Sequence, residues 1–288
     1  NIHALLSATD HIDWAQNIRL YWSPAAGKFQ FLPWDTGVDH GWFETDPAAL
    51  HQSSNPLMNR ILSFPEFLHE RNVRLWNYVR DMDNLKDDLA AYDNLFAQTR
   101  VAFYQDRIRR FNNRHVDSEV ARLRDVIERQ FRHLRDLFAQ TTARVELRQA
   151  GEGIVLEVIS TAAAPVYVDS IEFQYTTAAA PVPFVVFAGN QRICEMVNER
   201  RDQKAQRRAA QCQRFDLMPG FDYATLSIEG VPPGDFQVVR PAETRHVFRI
   251  RPNGGSLSVA NIQKVQVVIK NGFTDKRVSD VREEIMGL

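Results

Sequence analysis

Near residue 145 the spacing of apolar residues changes from threes and fours to twos, and no single element can serve both periods. On the N-terminal side, Val116, Val120, Leu123, Ile127, Phe131, Leu134 and Phe138 recur at helical spacing, with Asp117 or Ser118 expected as the cap. Its other face is Arg, Glu and Asp, which reads as solvated helix surface. A preceding helix is expected from Leu85 to about Arg110, on Leu85, Leu89, Tyr92, Leu95, Phe96 and Phe103. Before that, Leu57, Ile61 and Leu62 lead to Pro65, which suits the first turn of another helix. The buried face of that helix is expected from Phe67, Leu68, Val73, Leu75, Trp76 and Val79.

After the switch, short runs read as strands: 145–147, 154–159, 166–168, 171–173, 182–187, 224–228, 247–250 and 265–269. Gly, Pro and Asn separate them, and many short strands at near-regular spacing predict a β-sandwich-like domain. The Arg- and Gln-rich stretch 190–214 reads as a helix-like or loop insertion. Cys194 and Cys212 lie in it, with no His at metal-ligand spacing. They predict either a disulfide formed in an oxidising compartment or two free thiols. The expected organisation is therefore α+β, with one domain over 1–144 and an all-β domain over 145–288.

The opening segment differs from both regions. Ile18 to Trp22 and Lys28 to Leu32 alternate apolar with polar residues around Ser23-Pro24-Ala25-Ala26-Gly27, which predicts a β-hairpin. Trp14, Trp22, Trp34, Trp42 and Trp76 are expected to pack around it. The hairpin is bracketed by Asp10, Asp13 and Asn17 on one side and Asp35 and Asp39 on the other. Oxygen ligands of this kind suit Mg²⁺ held together with nucleotide phosphates. The order Asp, Asn, strand–turn–strand, Asp is also that in which a protein kinase presents its acceptor-orienting carboxylate and metal ligands.

Asp13-Trp14-Ala15-Gln16-Asn17-Ile18-Arg19-Leu20-Tyr21, followed by Gly27 to Leu32 and Pro33-Trp34-Asp35, resembles the CotH kinase family of spore-coat and other secreted or surface proteins. Asn55-Pro56-Leu57, Arg60-Ile61-Leu62 and Pro65-Glu66-Phe67 are similar to the family's helical continuation, so the likeness covers roughly residues 5–80. It implies a protein-kinase-like C-terminal lobe of hairpin plus helices. It also implies transfer of phosphate from ATP, with Mg²⁺, to Ser/Thr of coat or surface proteins outside the cell or on its surface. Carried over, Asp13 orients the acceptor hydroxyl, with Asp10 the other candidate for that role. Asn17 and Asp35 hold metal and nucleotide. Gly37 stands where the family has a second Asp, with Asp39 the substitute ligand, and His40 stands where Phe precedes Gly41.

The family's nucleotide-gripping lobe lies upstream of the matched region. This chain begins at Asn1 in what reads as structured sequence, so a processed or truncated product is expected. The lobe is then expected as a partner on a separate or cleaved polypeptide. The alternative reading is a catalytically inactive surface or coat protein that keeps the kinase-like scaffold and binds protein or glycan through its β-domain.

HExxH, GxSxG, Walker and CxxC signatures are absent from the sequence, and the eight histidines show no paired metal spacing. A formal net charge of −1 supplies no strong overall field for nucleic acid or an anionic membrane. No apolar run reaches the roughly 20 residues that span a bilayer.

Overall fold

The computed structural model describes residues 19–32, 49–53, 55–106, 108, 111–176, 182–196, 207–226, 236–279 and 281–285. The chain forms two compact units, one of 1–137 with 222–240 and the other of 138–221 with 241–288. The architecture is mixed α+β, with four helices and one large sheet among the described residues.

In the first unit, β1 (Arg19–Ser23) and β2 (Lys28–Leu32) form the expected antiparallel hairpin. The short strand β3 (His51–Ser53) precedes α1 (Pro56–Leu62) and α2 (Pro65–Val79). Each of these helices carries proline in its first turn, where the missing N–H has no helical partner to lose. The Asn55 carboxamide caps α1 by accepting from the N–H groups of Leu57 at 3.0 Å and Met58 at 3.2 Å.

α2 buries Leu68, Arg71, Asn72, Leu75, Trp76 and Val79, a stripe at helical spacing. Phe67, expected inside, is 56% exposed because it lies off that stripe, and Arg71 and Asn72 take inward positions despite their polarity. α3 (Met82–Gln105) starts from an Asp81 cap and stops at Asp106, short of the expected Arg110. It docks on α2 through Tyr78, whose hydroxyl donates to Asp88 at 2.8 Å and whose carbonyl accepts from Asn84 at 2.9 Å.

Only Leu85 of α3 is fully buried, and Leu95 and Phe103, read as core, are exposed. α4 (Asn113–Ala139) starts earlier than expected, because the Asn112 carboxamide, not Asp117 or Ser118, accepts from the His115 N–H at 2.9 Å. Asp117 instead accepts a hydrogen bond from the Tyr104 hydroxyl. Arg124 grips Asp93 with two nitrogens, at 2.9 and 3.1 Å, and Tyr92 donates to the Val120 carbonyl at 3.0 Å. These contacts, more than apolar burial, hold the far half of the α3–α4 pair together.

The strands after α4 are β4 (Thr141–Ala150), β5 (Gly153–Ala162), β6 (Val166–Tyr175), β7 (Phe184–Ala188), β8 (Gln191–Met196), β9 (Arg207–Cys212), β10 (Gly220–Leu226), β11 (Phe236–Pro252), β12 (Ile262–Asn271) and β13 (Arg282–Ile285), and all but most of β10 and the start of β11 belong to the second unit. The hydrogen-bonded order β12-β6-β9-β8-β7-β11-β5-β4-β13 is one continuous path, not two separate sheets. Its outer strands approach one another where the Val267 N–H donates to Glu283 at 2.9 Å, so the sheet is nearly closed around its core. Val145, Leu147, Leu156, Val158, Phe173, Phe184, Val186, Phe248 and Ile269 point into that core from successive strands.

The two short runs expected at 166–168 and 171–173 are one strand. A bulge at Asp169, opposite the Val268–Ile269 step, shifts the inward positions from Val166 and Val168 to Ile171, Phe173 and Tyr175. The ends of the supposed 190–214 insertion are likewise strands of the main sheet, with Cys194 opposite Cys212. The two cysteines form a disulfide. Alternation there runs through small residues, Ala210 and Cys212 inside and Gln211 outside, which the Arg and Gln content conceals.

β10 pairs with β11, and the first part of β11 pairs with β3 through Gln237–Ser53 and Val239–His51. That pairing is why 222–240 belong with the helices.

Candidate functional site

The hairpin fixes the frame on which the expected site is built. Leu20 pairs with Phe31, Trp22 with Phe29 and Tyr21 with Gln30, so Leu20, Trp22 and Phe29 share one face and Tyr21 and Gln30 the other. The turn closes through the Ala26 N–H, which donates to the Ser23 carbonyl at 3.2 Å, and Gly27 takes a φ of +60° that favours glycine. Trp22 and Phe29 meet edge to face with ring centroids 5.0 Å apart. Both stay largely exposed, Trp22 at 48%, so this tryptophan is not the packed core residue expected.

Arg19 pairs with Leu32, so the chain enters and leaves the hairpin at the same end. In sequence, Asn17 comes two residues before that end and Asp35 three residues after it. Asp10, Asp13, Asn17, Asp35 and Asp39 themselves lie outside the described residues, as do Gly37, His40, Trp14, Trp34 and Trp42. Among the described residues no group of three or more His, Cys, Asp or Glu could hold a metal ion.

A second polar group in the same unit was not anticipated. His51 of β3 is buried, and its Nε2 lies 3.1 Å from the Asn59 carboxamide oxygen on α1. Arg71 of α2 is buried as well, and donates to the Asn72 carboxamide oxygen from Nε at 3.0 Å and Nη2 at 2.7 Å. Burial, then the Arg71 charge, pushes the His51 imidazole down to about 3, so it is neutral across ordinary pH. Burial likewise lowers the Arg71 guanidinium to about 9. Tyr223 of β10 donates to the Leu62 carbonyl at the end of α1, at 2.8 Å, and burial raises its phenol.

His51–Asn59 ties β3 to α1 and Tyr223 ties β10 to the end of α1, while the buried Arg71 of α2 acts by its charge on both His51 and Tyr223. The described members of this group form a buried polar network of the kind that fixes how elements pack. The signal for Arg71 and Asn72 was available in the sequence, since they lie three and four residues after Leu68, on the stripe that continues to Leu75.

Among the described residues of the second unit, shallow hollows lie on the sheet. One of about 470 Å³ is lined by Glu152, Val155, Arg249 and Arg251, and one of about 400 Å³ by Thr142, Arg144, Ser160, Thr161, Glu243 and Arg282. Exposed ion pairs such as Arg144–Glu243 at 2.9 Å run across the sheet beside the second hollow. Pairs of this kind are worth little stability, roughly 0–1 kcal/mol each. Comparison with known protein families and with curated proteins finds no match for this chain.

Proposed function

We propose that this chain carries the metal-binding end of a CotH-like protein kinase, on a kinase-like C-terminal lobe, followed by an all-β module built on the nearly closed sheet. In this reading it transfers phosphate from ATP to Ser/Thr hydroxyls of coat or surface proteins outside the cell. One observation supports it: the hairpin brings its two ends together at Arg19 and Leu32, and in sequence Asp13 and Asn17 precede the first while Asp35 follows the second. Carboxylate and carboxamide oxygens are a donor set that fits Mg²⁺, so Asn17 and Asp35, with Asp39, would hold the metal. Bound with ATP, the metal would neutralise charge on the transferring phosphate. Asp13 would orient the acceptor hydroxyl and take its proton, with Asp10 as the other candidate. An upstream nucleotide-binding lobe, on this or another polypeptide, completes the cleft. The Cys194–Cys212 disulfide accords with an oxidising, extracellular setting.

A second reading is favoured by Gly37 and His40, which replace the family's second acid and its Phe. It makes the chain an inactive scaffold that binds protein or glycan through the β-domain. Thermal unfolding with and without Mg²⁺ and ATP separates the two. The kinase reading expects a Mg²⁺-dependent rise in melting temperature with ATP, lost in Asp35→Ala. Identical melting of wild type and Asp35→Ala under all conditions leaves the scaffold reading in its place.

A further inference from the structure

The outer face of the sheet in the second unit presents two arginines that no described carboxylate engages. Phe248 and Ile250 of β11 point into the core, so Arg249 and Arg251 face outward from the same strand, ~7 Å apart along it. Arg249 lies between Phe187 of β7 and Val155 of β5, and Arg251 lies opposite Val185. The Arg251 guanidinium stacks over the Phe187 ring, 5.2 Å from its centroid. Acids elsewhere on this face are already taken. Glu157 holds Arg148 at 3.0 Å and Arg245 at 3.7 Å, and Glu243 holds Arg144 at 2.9 Å. Among the described residues, neither Arg249 nor Arg251 has an ion-pair partner.

Both arginines line the larger hollow, of about 470 Å³. Val155 also lines it, and is only 8% exposed although its neighbours Ile154 and Leu156 take the inward positions. Glu152, in the turn between β4 and β5, lines the same hollow and pairs with neither arginine. The hollow thus offers two cationic donors, one anionic acceptor and an apolar floor. That combination discriminates among anions. An acidic peptide or a nucleic-acid backbone would gain from the arginines but be repelled by Glu152. A sugar that carries a carboxylate or a sulfate can use all three features. Its anion pairs with the guanidinium groups, its hydroxyls donate to Glu152, and its C–H face rests on Val155.

We propose that this hollow binds an anionic sugar unit of an acidic polysaccharide, held by Arg249, Arg251 and Glu152. The proposal rests on the second reading, in which the β-domain binds glycan, and is independent of the kinase reading. Binding of the whole chain to immobilised alginate, dextran sulfate, neutral dextran and poly-aspartate tests it. Alginate presents carboxylate and dextran sulfate presents sulfate, so these two arms tell which anion the arginines take. The expected result is binding to one or both, none to dextran, and weakening by added salt. Arg249→Gln with Arg251→Gln should lower it ~10-fold or more at an unchanged melting temperature. Arg74→Gln with Arg132→Gln, which removes equal charge from exposed helix positions, should leave it as in wild type. Glu152→Ala should weaken binding although it removes a negative charge. Tighter binding by Glu152→Ala, undiminished binding by the Arg249 and Arg251 double variant, or equal loss in the helix variant overturns the proposal. Binding to poly-aspartate and to neither acidic polysaccharide also overturns it, and assigns the arginines to an acidic protein. Binding to neutral dextran alone overturns the anionic site but keeps a glycan-binding β-domain. Binding to none of the four overturns the proposal and leaves the second reading only other protein partners.

Discussion

The side-chain nitrogen of Asn271 donates to the Phe138 carbonyl at 2.9 Å, joining the last turn of α4 to the end of β12. The same nitrogen donates to Thr141 Oγ1 at 2.9 Å, and the carboxamide oxygen accepts from the N–H groups of Phe273 and Thr274, both at 2.9 Å. One buried carboxamide thus ends a helix, starts β4 and shapes the turn after β12.

Asn271→Ala strands two backbone N–H donors and the Phe138 carbonyl, and is expected to cost about 2–4 kcal/mol. Asn271→Asp should cost a similar amount, because a carboxylate would face the Phe138 carbonyl without a proton to donate. Chemical denaturation of the three proteins checks both, and a loss below about 1 kcal/mol in Asn271→Ala contradicts the role assigned to it.

Acid should weaken the fold through His51. Its ordinary value is 6.5, and in the folded chain burial and then Arg71 hold it near 3. The unfolded chain therefore takes up a proton that the folded one refuses. The contribution of His51 is complete above pH 6.5 and is lost as pH falls from there towards 3. His51→Gln can still donate to Asn59 and does not titrate. Its stability should change less steeply over that interval, read from denaturation midpoints at a series of pH values.

Cys194 and Cys212 are separated by 18 positions, so their disulfide closes a loop of modest length in the unfolded chain. The loop-closure relation puts its contribution near 3 kcal/mol. Reduction, or Cys194→Ser with Cys212→Ser, should lower the stability of the β unit by about that amount while the helices keep theirs. Proteolysis or hydrogen exchange resolved by segment distinguishes the units.

Asp275 adopts a φ of +58°, uncommon outside glycine and asparagine, and its carboxylate accepts from the Tyr167 hydroxyl. Burial, then Asp275, raises the Tyr167 phenol to about 12 from an ordinary value of 10. A raised phenol favours the neutral folded form, so this stability is present below pH 10 and lost as pH rises through 12. Asp275→Asn keeps both an acceptor and the backbone preference and should be nearly neutral. Asp275→Ala loses both and should cost about 1–3 kcal/mol by denaturant titration.

Much of the framework was legible from period alone. The hairpin at 19–32, the helices beginning at Pro56 and Pro65, the long helix through Phe131 and most strands after 145 follow from spacing, proline and turn residues. The cap of α4 was misplaced because Asn112, Asp117 and Ser118 are all good capping residues, and only backbone geometry chooses among them. The candidate phosphotransfer residues were read from order and resemblance. The hairpin register adds only that Arg19 and Leu32, which those residues flank in sequence, are paired. The buried His51–Asn59 and Arg71–Asn72 pairs went unread because polar residues are ordinarily placed outside, and in the first pair the partners lie on separate elements.

The amino-acid order alone determined which stretches become helix and which become strand, since that depends on which neighbours a side chain meets three, four or two positions away. The pairing of β3 with β11, the continuous course of the β path and the bulge at Asp169 were decided only in three dimensions. Each depends on hydrogen bonds between segments far apart in the chain. Local propensity is blind to those bonds, and burial of the assembled core selects among them.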